Sequence, residues 1–177
     1  MRLGRIFAVM LLITGCGAGR EPVRRDEGET MKITSPAFEH DASIPSIYTC
    51  DGSGSIPPLT FEGVPDGAVS LALIVDDPDA PMGTWDHWVV WNIPSSTRGV
   101  EQGRVPAGTV GRNSWKRNDW GGPCPPSGEH RYFFKLFALD AMLDLPPNAS
   151  KEQLERAMRG HLLAQSEMIG RYRRPGR

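Results

Sequence analysis

From Met31 onward, short apolar segments separated by Gly- and Pro-rich turns read as strands. A continuous apolar run, Leu71 to Val75, places Leu71, Leu73 and Val75 on one face and Ala72 and Ile74 on the other. Both faces therefore read as buried strand. The run breaks at Asp77-Pro78-Asp79-Ala80-Pro81, where the two prolines hold Asp77 and Ala80 out of the α region and make a stiff corner. It resumes as a second strand from His87 to Ile93. A third strand, His130 to Leu139, puts His130, Tyr132, Phe134, Leu136 and Ala138 on one face and Arg131, Phe133, Lys135 and Phe137 on the other. Shorter strands are predicted at Met31–Thr34 and Leu59–Glu62, with an extended segment over Ile44–Thr49 and a turn at Asp51–Gly54. Ser166 to Arg173 reads as a closing strand with Met168, Gly170 and Tyr172 on one side.

One segment departs from this pattern. Ser150-Lys151-Glu152-Gln153 fits a capping box, and Leu154, Ala157, Met158 and Leu162 would form the buried stripe of a helix reaching Gly160 or a little beyond. Between Gly111 and Gly128 there is no clear period. A connection of that length inside a compact domain usually carries function or wraps a site. With 20 Gly and 16 Pro, the composition agrees with a turn-rich, mainly β fold, to which the segment from Ser150 adds a C-terminal helix. A net charge of −1 gives no global drive toward nucleic acid.

The N-terminus has a different character. Arg2 and Arg5 precede an apolar run from Ile6 to Ile13, far short of the roughly 20 residues a spanning helix needs, so residues 1–15 read as an export signal. Ile13-Thr14-Gly15-Cys16 resembles a bacterial lipobox, which implies cleavage before Cys16 and its lipidation. Residues 16–30 then form a polar tether with a reach of about 20 Å, and residues 31–177 the domain. The expected location is the bacterial cell envelope, lipid-anchored at the periplasmic face or outer membrane.

If Cys16 carries lipid, Cys50 and Cys124 remain as a pair in an oxidising compartment. They read either as a disulfide or as two free buried thiols. No C-x-x-C spacing is present, so no structural metal site is expected, and no cofactor motif occurs.

The candidate chemistry gathers at strand ends: Asp77, Asp79, His87, His130 and Tyr132, with Pro81 and Trp85 as apolar walls. A carboxylate can orient an imidazole and raise its pKa. Imidazolium and phenol donors, with backbone N–H groups near Gly121 and Gly122, can then hold an anionic oxygen. From the residues alone, the same set also reads as a metal site, an acid–base pair, or a polar cluster serving only the fold. His40 and His161 read as surface and structural residues respectively.

DPDAP (Asp77 to Pro81), His87-Trp88, GPCPP (Gly122 to Pro126) and HRY (His130 to Tyr132) together resemble the phosphatidylethanolamine-binding protein family. YTCDG (Tyr48 to Gly52) followed by PPL (Pro57 to Leu59) points to its prokaryotic YbhB/YbcL, Raf-kinase-inhibitor-like branch. The resemblance implies two antiparallel β-sheets packed together with C-terminal helical elements. It also implies a small surface pocket for phosphorylated head groups or similar anions. Its ligand-binding residues would be Asp77, Asp79, Pro81, Trp85, His87, Gly122, His130 and Tyr132. The loop after Gly111 departs from the family pattern, running Arg112-Asn113-Ser114-Trp115, so its rim is expected to differ. The expected function is non-enzymatic binding of a small anionic ligand by a membrane-tethered protein. The alternative is an interaction module that inhibits a protease or kinase-like partner. No G-x-S-x-G turn or HExxH helix suggests a hydrolase.

Overall fold

The computed structural model describes residues 30–176. The export signal, Cys16 and nearly all of the tether lie outside them. The strands are β1 (Lys32–Thr34), β2 (Ala42–Ser43), β3 (Leu59–Glu62), β4 (Ser70–Asp77), β5 (Trp85–Pro94), β6 (Gly99–Val100), β7 (Thr109–Val110), β8 (Glu129–Leu139) and β9 (Leu162–Arg173), with one helix, α1 (Lys151–Ala157), before the last. They form a three-stranded sheet, β1-β3-β6, and a six-stranded sheet, β2-β9-β8-β4-β5-β7. All pairs are antiparallel except β2 with β9, which is parallel.

Strand β4 is buried along its whole length because both faces of the large sheet are covered. On one side Leu71, Leu73 and Val75 meet Trp88, Val90, Phe134 and Leu136, beneath Ile33, Leu59 and Phe61 of the small sheet. On the other, Ala72, Ile74, Val89 and Trp91 pack against Ala149, Leu154 and Met158 around the helix. Each such side chain removed from water contributes about 1.5–3 kcal/mol, so the three-layer arrangement follows from the uniformly apolar central strand.

Two segments differ from the sequence expectation. Pro45 opens a 3-10 turn over Ser46–Tyr48, so Ile44–Thr49 is only partly extended. The capping box at Ser150 and Gln153 forms, but α1 stops at Ala157 and Gly160 turns the chain at φ 84°. Leu162 is therefore the first residue of β9, 47% exposed, and not part of the helix stripe. The closing strand is longer than expected, and Met168, Gly170 and Tyr172 do face inward.

The register of β5 positions the site. Val75 pairs with Trp88, but Asp76 pairs with Asp86, leaving His87 as an extra residue. This bulge breaks the alternation, so His87 and Trp88 lie on the same side of the sheet while Val89 packs on the other.

Candidate functional site

A cavity of about 380 Å³ opens where β4, β5 and β8 end together. It is lined by residues from three pieces of chain. The corner after β4 and the start of β5 give Asp77, Ala80, Pro81, Met82, Trp85 and His87; the long loop gives Trp115, Cys124 and Pro126; β8 gives Tyr132.

Asp77 sits at the cavity floor, 3% exposed, with both oxygens engaged. Oδ2 meets His130 Nδ1 at 2.7 Å and Oδ1 accepts the Asp79 backbone N–H at 2.9 Å. The second bond closes a tight Asx turn that sets the corner. His130 thus stands behind Asp77 and does not line the cavity.

Asp79 turns away altogether. It accepts from the Arg131 backbone N–H and Nε, both at 2.9 Å, and from Nη2 at 2.7 Å. Hydrogen bonding from the Arg131 side chain is the main reason its carboxyl is held down to about 2. This fork pins the DPDAP corner to β8. Gly122 is likewise outside the cavity: a Cβ there would meet the Tyr48 carbonyl oxygen at 2.9 Å, so the loop packs backbone to backbone against that segment.

His87 is buried with its ring fixed. Nδ1 lies 2.6 Å from the Gly121 carbonyl oxygen, so Nδ1 carries the proton and donates. The Gly121 N–H returns a bond to the His87 carbonyl at 3.0 Å. Burial pushes the imidazole below its ordinary pKa, against the Gly121 bond and the charges of Asp77, Asp76 and Asp86, which pull it up. The ring is neutral at pH 7, and its free Nε2 is an acceptor.

Tyr132 meets His87 edge to face, with centroids 5.2 Å apart. Its buried hydroxyl has no hydrogen-bond partner. The Cys124 backbone N–H lies near enough to favour the phenolate, but the contact falls short of hydrogen-bond geometry. Burial, then the Asp77 charge, push the phenol pKa far up, so the hydroxyl keeps its proton as a donor.

The long loop supplies a wall the sequence reading did not place. Trp115 stands edge-on to Trp85 at 5.4 Å and to His87 at 5.0 Å. Its loop's length and aperiodicity were the visible signal; nothing local distinguished Trp115 from Trp120, which packs into the core against Trp88. Cys50 and Cys124 form a disulfide with Cα atoms 5.4 Å apart, tying the loop to the 3-10 turn. Cys50 N–H also donates to the Pro123 carbonyl at 3.0 Å. Of the expected ligand-binding residues, Asp77, Pro81, Trp85, His87 and Tyr132 line the cavity; Asp79, Gly122 and His130 hold its frame. No group of His, Cys, Asp and Glu among the described residues is arranged to hold a metal ion.

Fold and site define a two-sheet β protein with a small pocket at the strand ends. Residues 34–173 match the family model described as phosphatidylethanolamine-binding protein, and the chain belongs to that family. It is 53% identical over 150 residues to a UPF0098 protein of Methanothermobacter thermautotrophicus, covering 81% of this chain and 99% of that one. A UPF0098 protein of Aquifex aeolicus is 47% identical over 155 residues, covering 83% and 91%. Among solved structures, a phosphatidylethanolamine-binding protein homolog from Chlamydia trachomatis superposes with a TM-score of 0.80 at 40% identity, covering 82% of this chain and 98% of its own. YbcL of E. coli superposes at 0.76 with 29% identity, covering 82% and 99%.

Proposed function

We propose that this is a non-enzymatic binding protein whose pocket takes a small phosphorylated or otherwise acidic ligand, and that a lipid on Cys16 tethers it to a membrane of the cell envelope. The observation that carries the reading is the free Nε2 of the fixed His87 ring in a pocket also lined by Tyr132, whose orphaned hydroxyl is closed to solvent and would meet a ligand oxygen only as the floor opens to it. A buried donor without a partner costs about 1–3 kcal/mol, which a ligand oxygen would recover.

The cavity lining contains no Lys or Arg, because Arg131 is spent on Asp79. An anion therefore binds together with a proton. Either the ligand's acid O–H donates to His87 Nε2, or His87 takes the proton and donates to the anion; Tyr132 O–H donates to a second oxygen in both cases. Catalysis has little to work with, since the lining holds no Ser or Thr, and Cys124 is locked in the disulfide.

The test is a titration with inorganic phosphate and phosphoethanolamine, followed by the His87 ring resonances and the melting temperature. The ligand should move both, and His87→Ala should abolish the effect. If millimolar ligand moves neither, the binding reading fails. Turnover of a phosphoester, lost in His87→Ala, would replace it with an enzyme.

A further inference from the structure

The polar floor accounts for a small part of the cavity. A phosphate group, counted as four water-sized oxygens at roughly 30 Å³ each, fills about 120 Å³, against a cavity of about 380 Å³. Above the floor, the lining is Pro81, Met82, Trp85, Trp115 and Pro126. A free phosphate would leave these surfaces facing water.

Trp115 is held in place although 38% of it is exposed. Its loop is clipped by Asn113, whose amide donates to the Asp119 carbonyl and carboxylate, each at 3.0 Å, and whose oxygen accepts the Arg117 N–H at 3.1 Å. Ser114 bonds Asp86 in both directions, its Oγ accepting the Asp86 N–H at 2.8 Å and its N–H reaching the Asp86 carbonyl at 3.0 Å. A Cβ on Gly121 would collide with the Trp115 ring, so glycine is what lets the indole pack against the loop that fixes His87. These contacts cost ordering entropy to keep a large aromatic surface open at the mouth. Met82, in the same lining, is 93% exposed, a flexible thioether free to fold over an occupant.

Building on the reading that the floor takes an acidic oxygen, we propose that the ligand is an organic acid carrying an aromatic or branched apolar body, laid against the continuous surface that Trp85 and Trp115 make in contact with each other, and covered by Met82. An ammonium group against the two indoles is the competing occupant, since aromatic faces and the Asp77 charge attract cations. An ammonium would donate to the Tyr132 oxygen and to His87 Nε2, so affinity is what separates it from an acid.

The full chain is titrated with inorganic phosphate, phenyl phosphate and benzylammonium by calorimetry at one pH. Phenyl phosphate should bind at least tenfold tighter than inorganic phosphate, and benzylammonium more weakly than either. Trp115→Ala and, at a side chain in open solvent where folding is not at risk, Met82→Ala should each shrink the phenyl-to-inorganic ratio, Trp115→Ala to below threefold. Equal affinity for the two phosphates overturns the apolar-body inference and leaves the acid-binding reading standing. Tighter binding of benzylammonium overturns both, and binding of no phosphate at all removes the reading on which this one rests.

Discussion

At His87 a single hydrogen bond decides what the pocket can do. The Gly121 carbonyl takes the Nδ1 proton, and burial depresses the pKa, so the folded ring charges only below its ordinary value. In the unfolded chain the ring titrates near 6.5, so the unfolded state binds the extra proton first as pH falls. Stability should therefore decline from about pH 7 downward, and phosphate should offset the decline by supplying a partner for the charged ring. Melting curves between pH 5 and pH 8, with and without phosphate, read this directly; an identical decline in His87→Gln would assign it elsewhere. Asp79 acts with the same sign in a lower pH window. Its folded pKa of about 2 lies below the unfolded value of 3.8, so its contribution is complete above the latter and disappears as pH falls toward 2. Asp79→Ala should cost about 1 kcal/mol in urea unfolding at pH 7, a modest figure because Arg131 is partly solvated. The motif made Asp77, His87 and Tyr132 legible in the sequence as a group. It did not reveal that Arg131, two residues from the end of β8, would take Asp79 out of the pocket, because that depends on strand register.

Elements explain the rest of what the sequence reading missed. Alternation can be read from residue types, but the bulge at His87 is an insertion in pairing, visible only once β4 and β5 are side by side. The helix end escaped for a similar reason: Leu162 fits a helical stripe, yet Gly160 and the pairing of Leu162 with Leu139 assign it to a strand. Across the large sheet from the pocket, Lys151 at the start of α1 reaches Asp76 Oδ2 at 2.7 Å and Asp86 Oδ1 at 3.0 Å, while Lys135 also meets Asp76. Lys151→Met leaves Asp86 without this cation and should destabilise by about 3 kcal/mol, measured by chemical denaturation. Because Asp86 also holds Ser114, the same variant should shift the Trp115 indole signal. The disulfide joins residues 74 apart, and removing it in a Cys50→Ala, Cys124→Ala variant should cost about 4 kcal/mol. Ligand affinity should fall further than stability alone requires, since the freed loop carries the Gly121 carbonyl.

For the molecule as a whole, the expectation of a mainly β fold with two packed sheets and one C-terminal helix matches the structure, because the apolar faces left few other arrangements. Placement in the cell envelope rests on residues before Thr30, and a Cys16→Ser variant should move the protein from the membrane to the soluble fraction on cell fractionation. The chain enters the domain beside Glu62, which pairs with Lys32 and leads through a short turn to Ser70 at the start of β4. Asp77 and the pocket lie at the far end of that strand, about 25 Å away at 3.3 Å per residue. A tether with a reach of about 20 Å would let a protein moored by its N-terminus turn its mouth toward the bilayer or away from it. What it collects could then be drawn from the surrounding solution and from the head groups of the bilayer alike.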